Sequence, residues 1–191
     1  MKNELQKTWD FLWNDDSLLS WVVFLIVIFV FIKFIFFPVL SLMFGTALPI
    51  VIVESCSMHH GDDLDGWWSE NKDWYEGKEI GRNEFGNFPL VNGFTKGDIF
   101  FVTGVSGDEV EIGDVIIFSD SQSLRPIIHR VVGLNPLQTK GDNNPGQIPF
   151  EMDINSDNIV GRATNVKIPL VGWVKLIFFE PFRKNGDRGF C

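Results

Sequence analysis

The sequence predicts a mainly β domain, a barrel or a packed pair of sheets, carried behind one N-terminal transmembrane helix. Three observations predict it. From Gly97 onward, short β-branched and aromatic runs recur between Gly, Asn and Pro punctuation. Leu18 to Phe37 is almost wholly apolar, with Lys33 its one charge. At 191 residues, the chain suffices for one domain with a sizeable core and an appendage. The organisation expected is a cytoplasmic segment at 1–17, a span at 18–37 and an extracytoplasmic domain at 38–191, interrupted by an insertion at about 61–94.

Taken in order, Met1 to Asp16 is mixed and polar, with Lys2 and Lys7 its only cations. About 20 apolar residues rising ~1.5 Å each cross a hydrocarbon layer of ~30 Å, so Leu18 to Phe37 is long enough to span. Lys33 sits near one end, where its stem can reach the headgroups. A cleavable leader would have a shorter apolar core and a small-residue cut site, whereas here apolar residues continue almost to Val53, so the anchor is expected to be retained. A buried helix would show a polar face for water, and none is present. Val39 to Leu48 is expected at or just beyond the interface. After Lys33 no Lys or Arg appears until Lys72, so the cations place the N-terminus in the cytoplasm.

Next comes Leu-Pro-Ile-Val-Ile-Val-Glu-Ser-Cys-Ser-Met-His-His, Leu48 to His60, a short strand-like run ending in three potential nucleophiles. Gly61 to Phe94 has no sustained period and carries Trp67, Trp68, Trp74 and Tyr75. It reads as an insertion with its own aromatic cluster, ahead of a lid or a membrane-resting flap. Asp98–Thr103, Asp114–Ser119, Ile127–Leu134 and Asn158–Val166 are the strands of the β body. Pro169 to Phe182 is apolar but broken by Lys175 and Pro181, so it packs on the body or rests on lipid rather than spanning.

A net charge of −9 with scattered Lys and Arg excludes general nucleic-acid binding. Two cysteines cannot build a disulfide framework or a four-cysteine zinc site, and Cys56 and Cys191 are expected as separate thiols. The chain has three histidines. His59 and His60 lie too close to Ser57 in sequence for a nucleophile and its base, which normally meet across a fold, so His129 is the candidate base. Asp142, in the turn Thr139-Lys140-Gly141-Asp142-Asn143-Asn144-Pro145, and Asp153 further on are candidate carboxylates to orient it; an Asp in such a turn equally well caps its own backbone. His59-His60-Gly61-Asp62-Asp63 offers four possible metal ligands in five residues, but adjacent histidines in an extended loop point apart, so no metal or cofactor is expected.

Taken together, Ser55-Cys56-Ser57-Met58, Lys96-Gly97-Asp98-Ile99, Gly113-Asp114-Val115-Ile116-Ile117-Phe118, Ile128-His129-Arg130-Val131-Val132, Thr139 to Asn144 and Ile159-Val160-Gly161-Arg162 resemble, in their order, the type I signal peptidases. The resemblance covers about residues 18 to 175 without the insertion. It implies a membrane-anchored serine endopeptidase with a β-rich domain that cuts signal peptides from exported preproteins. Membrane lipid and the translocation machinery are the partners it implies. His129 stands where bacterial members have Lys, as in the archaeal and endoplasmic-reticulum branch, and the archaeal cell membrane is the expected location. The same resemblance implies Ser57 as nucleophile, His129 as base, Asp153 ahead of Asp142 as the supporting acid, and Ser55 with the Ser57 N–H as oxyanion donors. Cys56 replaces a common Gly, and His59-His60 replaces a Pro-containing continuation. From another class, an inactive tethered β-domain that binds partners through its aromatic insertion is the alternative.

Overall fold

Six strands carry the molecule's second half: β1 (Ile50–Ile52), β2 (Ile99–Thr103), β3 (Val115–Phe118), β4 (Ile127–Leu134), β5 (Leu137–Lys140) and β6 (Ile159–Ile168). The computed structural model describes residues 3–61, 63–120 and 125–191. All pairings are antiparallel, and the sheet order is β1-β2-β6-β3-β4-β5. The sheet curls around β3, whose four residues are all buried because both its faces are covered. Val115 and Ile117 join Val53, Met58, Phe100 and Val102 on one side, while Ile116 and Phe118 join Val110, Val131 and Ile154 on the other. Period-two alternation thus serves two cores at once. The expected mainly β domain behind one apolar helix is what the chain forms. β5 lies within a stretch read from the sequence as a turn; Leu137 and Thr139 turn inward against β4, and that burial makes it a strand.

The insertion is ordered, contrary to its lack of sequence period. Asp63 accepts from the Gly66 N–H at 2.9 Å and so starts α4 (Leu64–Glu76), which is followed by α5 (Arg82–Phe85). Trp67, Trp68, Tyr75, Ile80 and Phe85 form its own core, closed by Val132 of β4. Aromatic burial in place of a regular apolar stripe holds the helix, and that is why its period is weak.

The chain divides into two units, residues 1–43 and 44–191. In the first, α1 (Glu4–Asn14) opens with a capping box between Asn3 and Gln6. Ser17 caps α2 (Leu18–Phe31), a wide turn follows at Ile32–Phe36, and α3 (Phe37–Phe44) completes one continuous apolar helix, Leu18–Phe44. The span therefore runs past the expected end at Phe37. Pro38 cannot donate to the turn before it and its ring crowds that carbonyl, and the widened turn is the usual way a helix absorbs such a residue. Of Lys2 and Lys7, on which the expected orientation rests, Lys2 lies outside the described residues.

At the far end, α6 (Trp173–Leu176) packs on the body: Leu176 is buried, and the Trp173 indole donates to the Lys96 carbonyl at 3.0 Å. Lys96 is itself buried, donating to Glu180 and to the carbonyls of Asp187 and Gly189. The tail thus returns across the domain. It ends in a disulfide between Cys191 and Cys56, which corrects the expectation of two separate thiols.

Candidate active site

β4 sets the site out by simple alternation. Ile127, His129 and Val131 point to one face of the strand and Ile128, Arg130 and Val132 to the other. Within two consecutive residues the strand delivers an imidazole to one side and a guanidinium to the opposite side.

On the first side, His129 Nε2 lies 2.9 Å from Ser57 Oγ. Its Nδ1 is hydrogen-bonded to Glu151 Oε1. An ionised carboxylate only accepts, so Nδ1 carries the hydrogen and the Nε2 lone pair of the neutral ring faces the serine hydroxyl. Glu151 is fully buried on the single 3-10 turn Pro149–Glu151. Its Oε2 accepts from the Ile148 N–H at 2.8 Å, and Thr139 Oγ1 lies 3.4 Å from Oε1. Ser55 Oγ is 3.1 Å from Ser57 Oγ, at the exposed lip.

Ser57, Ser55 and His129 therefore come together as the sequence suggests, but the carboxylate on the imidazole belongs to Glu151, not to Asp153 or Asp142. Asp153 is exposed, two residues beyond the turn that points Glu151 inward. Asp142 is on the opposite side of β4. Arg130 grips it through Nε at 3.0 Å to Oδ1 and Nη2 at 2.8 Å to Oδ2, while His60 Nε2 and the Tyr75 hydroxyl complete its partners at 3.0 and 2.9 Å. Burial would raise its pKa, but the charge of Arg130 and hydrogen bonds from His60 and Arg130 outweigh burial and hold it well below the usual carboxylate range. Burial and the neighbouring Asp142 charge push the Tyr75 phenol well above its usual value. Arg130 also donates to the carbonyls of Pro89, Leu90 and Gly113 and lies over the Phe85 ring. This knot joins the insertion to the body.

The turn around Asp142 also grips the backbone at Ser57. The Asn143 N–H donates to the Ser57 carbonyl at 2.8 Å, its side-chain amide donates to the Cys56 carbonyl at 3.1 Å, and the Asp142 N–H meets Met58 Sδ at 3.3 Å. Gly141 lies so close that a Cβ there would come within 2.8 Å of His129 Nε2 and 2.9 Å of the Ser57 carbonyl. Lys140, buried beneath the turn, donates to the carbonyls of Gly141 and Asp142 at 3.0 and 3.1 Å, and burial brings its ammonium down to about 8. The sequence carries no motif for Lys140 and only a faint one for Glu151, a Pro-Phe-Glu triplet that forms one tight turn between Asp142 and Asp153.

A cavity of about 750 Å³ opens beside Ser57 and His129, lined mainly by Ile50, Ile52, Ile117, Ile128 and Phe150. At its rim Glu54 binds Lys175, Arg183 and Arg125. The histidine-rich stretch near Ser57 has other work: His60 stacks on Trp67 at 4.0 Å and meets Asp142, Asp63 caps α4, and Asp62 lies outside the described residues. Among the described residues, no three His, Cys, Asp or Glu side chains converge as a metal set.

No protein-family model matches the chain. It is similar to the signal peptidase complex catalytic subunit SEC11C of Homo sapiens, with 31% identity over 100 residues, 44% of this chain and 50% of that protein. The same subunit of Mus musculus and of Canis lupus familiaris matches at the same identity and coverage. The chain spans about half the length of the curated relatives it matches.

Proposed function

We propose that the chain is a membrane-anchored serine endopeptidase that removes signal peptides from translocated preproteins. The observation that carries the reading is the hydrogen-bonded series Ser57 Oγ, His129 Nε2, His129 Nδ1, Glu151. In it, Nε2 takes the Ser57 proton as Oγ attacks the scissile carbonyl and returns it to the leaving amine. Glu151 keeps the proton on Nδ1 and offsets the positive charge that the ring acquires; Asp142 has no part in this step. The Ser57 N–H and the Ser55 hydroxyl receive the oxyanion, and losing one such donor typically costs about 10²- to 10³-fold in rate. A water attacking the acyl group then repeats the sequence, and Ser57 is regenerated.

The similarity to a signal peptidase catalytic subunit supports the substrate class, and the cavity supports it chemically. Its branched apolar lining accepts a short uncharged stretch of extended peptide. β1, at the end of the sheet order, offers its free edge to pair with that peptide. The helix Leu18–Phe44 supports residence in the cell membrane, with the N-terminus cytoplasmic and residues beyond the span on the far side. A signal peptide is held in lipid by its own apolar core, so anchoring the enzyme raises the effective concentration of both. Contacts with translocation machinery belong to the same reading.

Purified full-length chain in detergent, given a preprotein, should release the mature product. Ser57→Ala should abolish release while its far-ultraviolet circular dichroism and thermal transition stay unchanged. Undiminished cleavage by purified Ser57→Ala would remove Ser57 as the nucleophile, and no cleavage by the purified wild-type chain would leave the inactive binding domain as the better reading.

A further inference from the structure

α1 presents a face that the proposed reaction does not use. At 100° per residue, Leu5, Trp9, Leu12 and Trp13 fall on one stripe, and Lys7 and Asn14 fall opposite. Leu5, Trp9 and Trp13 are 81%, 62% and 57% exposed, which is costly for three large apolar side chains in water. The helix is fixed to the apolar span at its C-terminal turn: Ser20 Oγ donates to the Phe11 carbonyl, and the Trp13 ring meets Phe24 edge-on at 5.2 Å. Trp9 in turn packs against Trp13 at 5.5 Å.

We infer that α1 is an in-plane membrane helix, its Leu5–Trp9–Trp13 stripe seated in the boundary between headgroups and acyl chains. The inference rests on the reading of Leu18–Phe44 as a span. Phe24 lies six residues into that helix, ~9 Å along its axis. A side chain packed on Phe24 is therefore at the depth of lipid, and the stripe continues from it. Only Asp15, Asp16 and Ser17 separate the two helices, too few to carry α1 away from the surface. Trp9, Trp13 and the 58%-exposed Trp21 then gather at one level, where indoles place an apolar body in lipid and an N–H in the headgroups. α1 bears Glu4 and Asp10 against Lys7, so apolar burial rather than attraction to anionic lipid must hold it.

The native cysteines are paired, so one introduced cysteine can carry a nitroxide label. The full chain, labelled singly at Leu5, Trp9, Lys7, Asn14 or Ile26, is reconstituted in phosphatidylcholine vesicles and its collisions with oxygen and with a water-soluble nickel complex are measured. The labels at 5 and 9 should favour oxygen several-fold over the nickel complex, those at 7 and 14 should favour nickel, and 26 should resemble 5 and 9. Leu5→Cys keeps both tryptophans, so the stripe is still tested if Trp9→Cys loosens the helix. Equal nickel access at 5 and 7 with 26 in lipid would overturn the inference and leave the span intact. Shielding of 5 and 9 from both reagents would reveal a protein contact, such as a second copy, and also overturn it. Nickel access at 26 would overturn span and inference together.

Discussion

In the proposed reaction Glu151 is the residue on which the chemistry of His129 turns, and it is separable from both aspartates by substitution. Glu151→Gln keeps the side chain's size but can no longer compel the proton onto Nδ1, so precursor cleavage should fall by about 10²- to 10⁴-fold with the fold retained. Asp153→Asn, at an exposed position, should cleave at nearly the wild-type rate. Equal rates for Glu151→Gln and wild type would remove Glu151 from the reaction. Lys140 gives a second residue-scale expectation, with a definite sign. Its folded pKa of about 8 lies below the ordinary 10.5, so between those values the unfolded chain binds more protons and stability rises with pH. The cost of charging the buried amine is fully present below about 8 and is relieved by 10.5, a gain of up to ~3 kcal/mol in urea unfolding. Lys140→Met should abolish that rise. Ser57 and His129 were legible in the sequence because few residues could serve as nucleophile and base. Glu151 was not, because reach depends on a turn and not on spacing.

The Arg130–Asp142 pair joins β4 to the turn after β5 and is the centre of the knot that Tyr75 of the insertion enters, and Arg130, Asp142, His60 and Tyr75 are all buried. Removing one partner leaves the other charge buried without compensation. Asp142→Ala should therefore destabilise the fold by about 3–5 kcal/mol, read from the urea midpoint at constant slope. Because the same turn holds the Ser57 carbonyl, any activity lost should return in part when the variant is assayed well below its melting temperature. Strands β2, β3, β4 and β6 could be read from their β-branched runs, whereas α4 could not. Its helix is stabilised by four aromatic rings and by Tyr75 reaching Asp142, contacts that have no periodic trace. The long apolar helix was legible, but its end was not, since Pro38 signals a stop that the wide turn at Ile32–Phe36 overrides.

Across the whole molecule, the tail and the nucleophile-bearing loop are tied by Cys56–Cys191, 135 residues apart in sequence. Closing so long a loop restricts the unfolded chain, and the bond should contribute about 4–5 kcal/mol. Adding a reductant, or substituting Cys56→Ser with Cys191→Ser, should lower the unfolding midpoint by a corresponding amount; unchanged midpoints would show that the non-covalent contacts of Lys96, Trp173, Leu176 and Arg183 suffice to hold the tail. Sequence spacing cannot reveal such a pairing, which depends on where the tail returns. That an apolar helix precedes a β domain was legible from composition, but the division between the two units at 43/44 was not, because apolar residues run on through β1 to Val53. β4 sends His129 and Arg130 to opposite faces, so a slip of one position there would exchange them, bringing a guanidinium against Ser57 and an imidazole into the aromatic pocket. Over evolutionary time, single-codon gains and losses should therefore be least tolerated from Ile127 to Arg130, whereas the hairpin already carries a register shift between Val131 and Gly133 and can absorb a length change there.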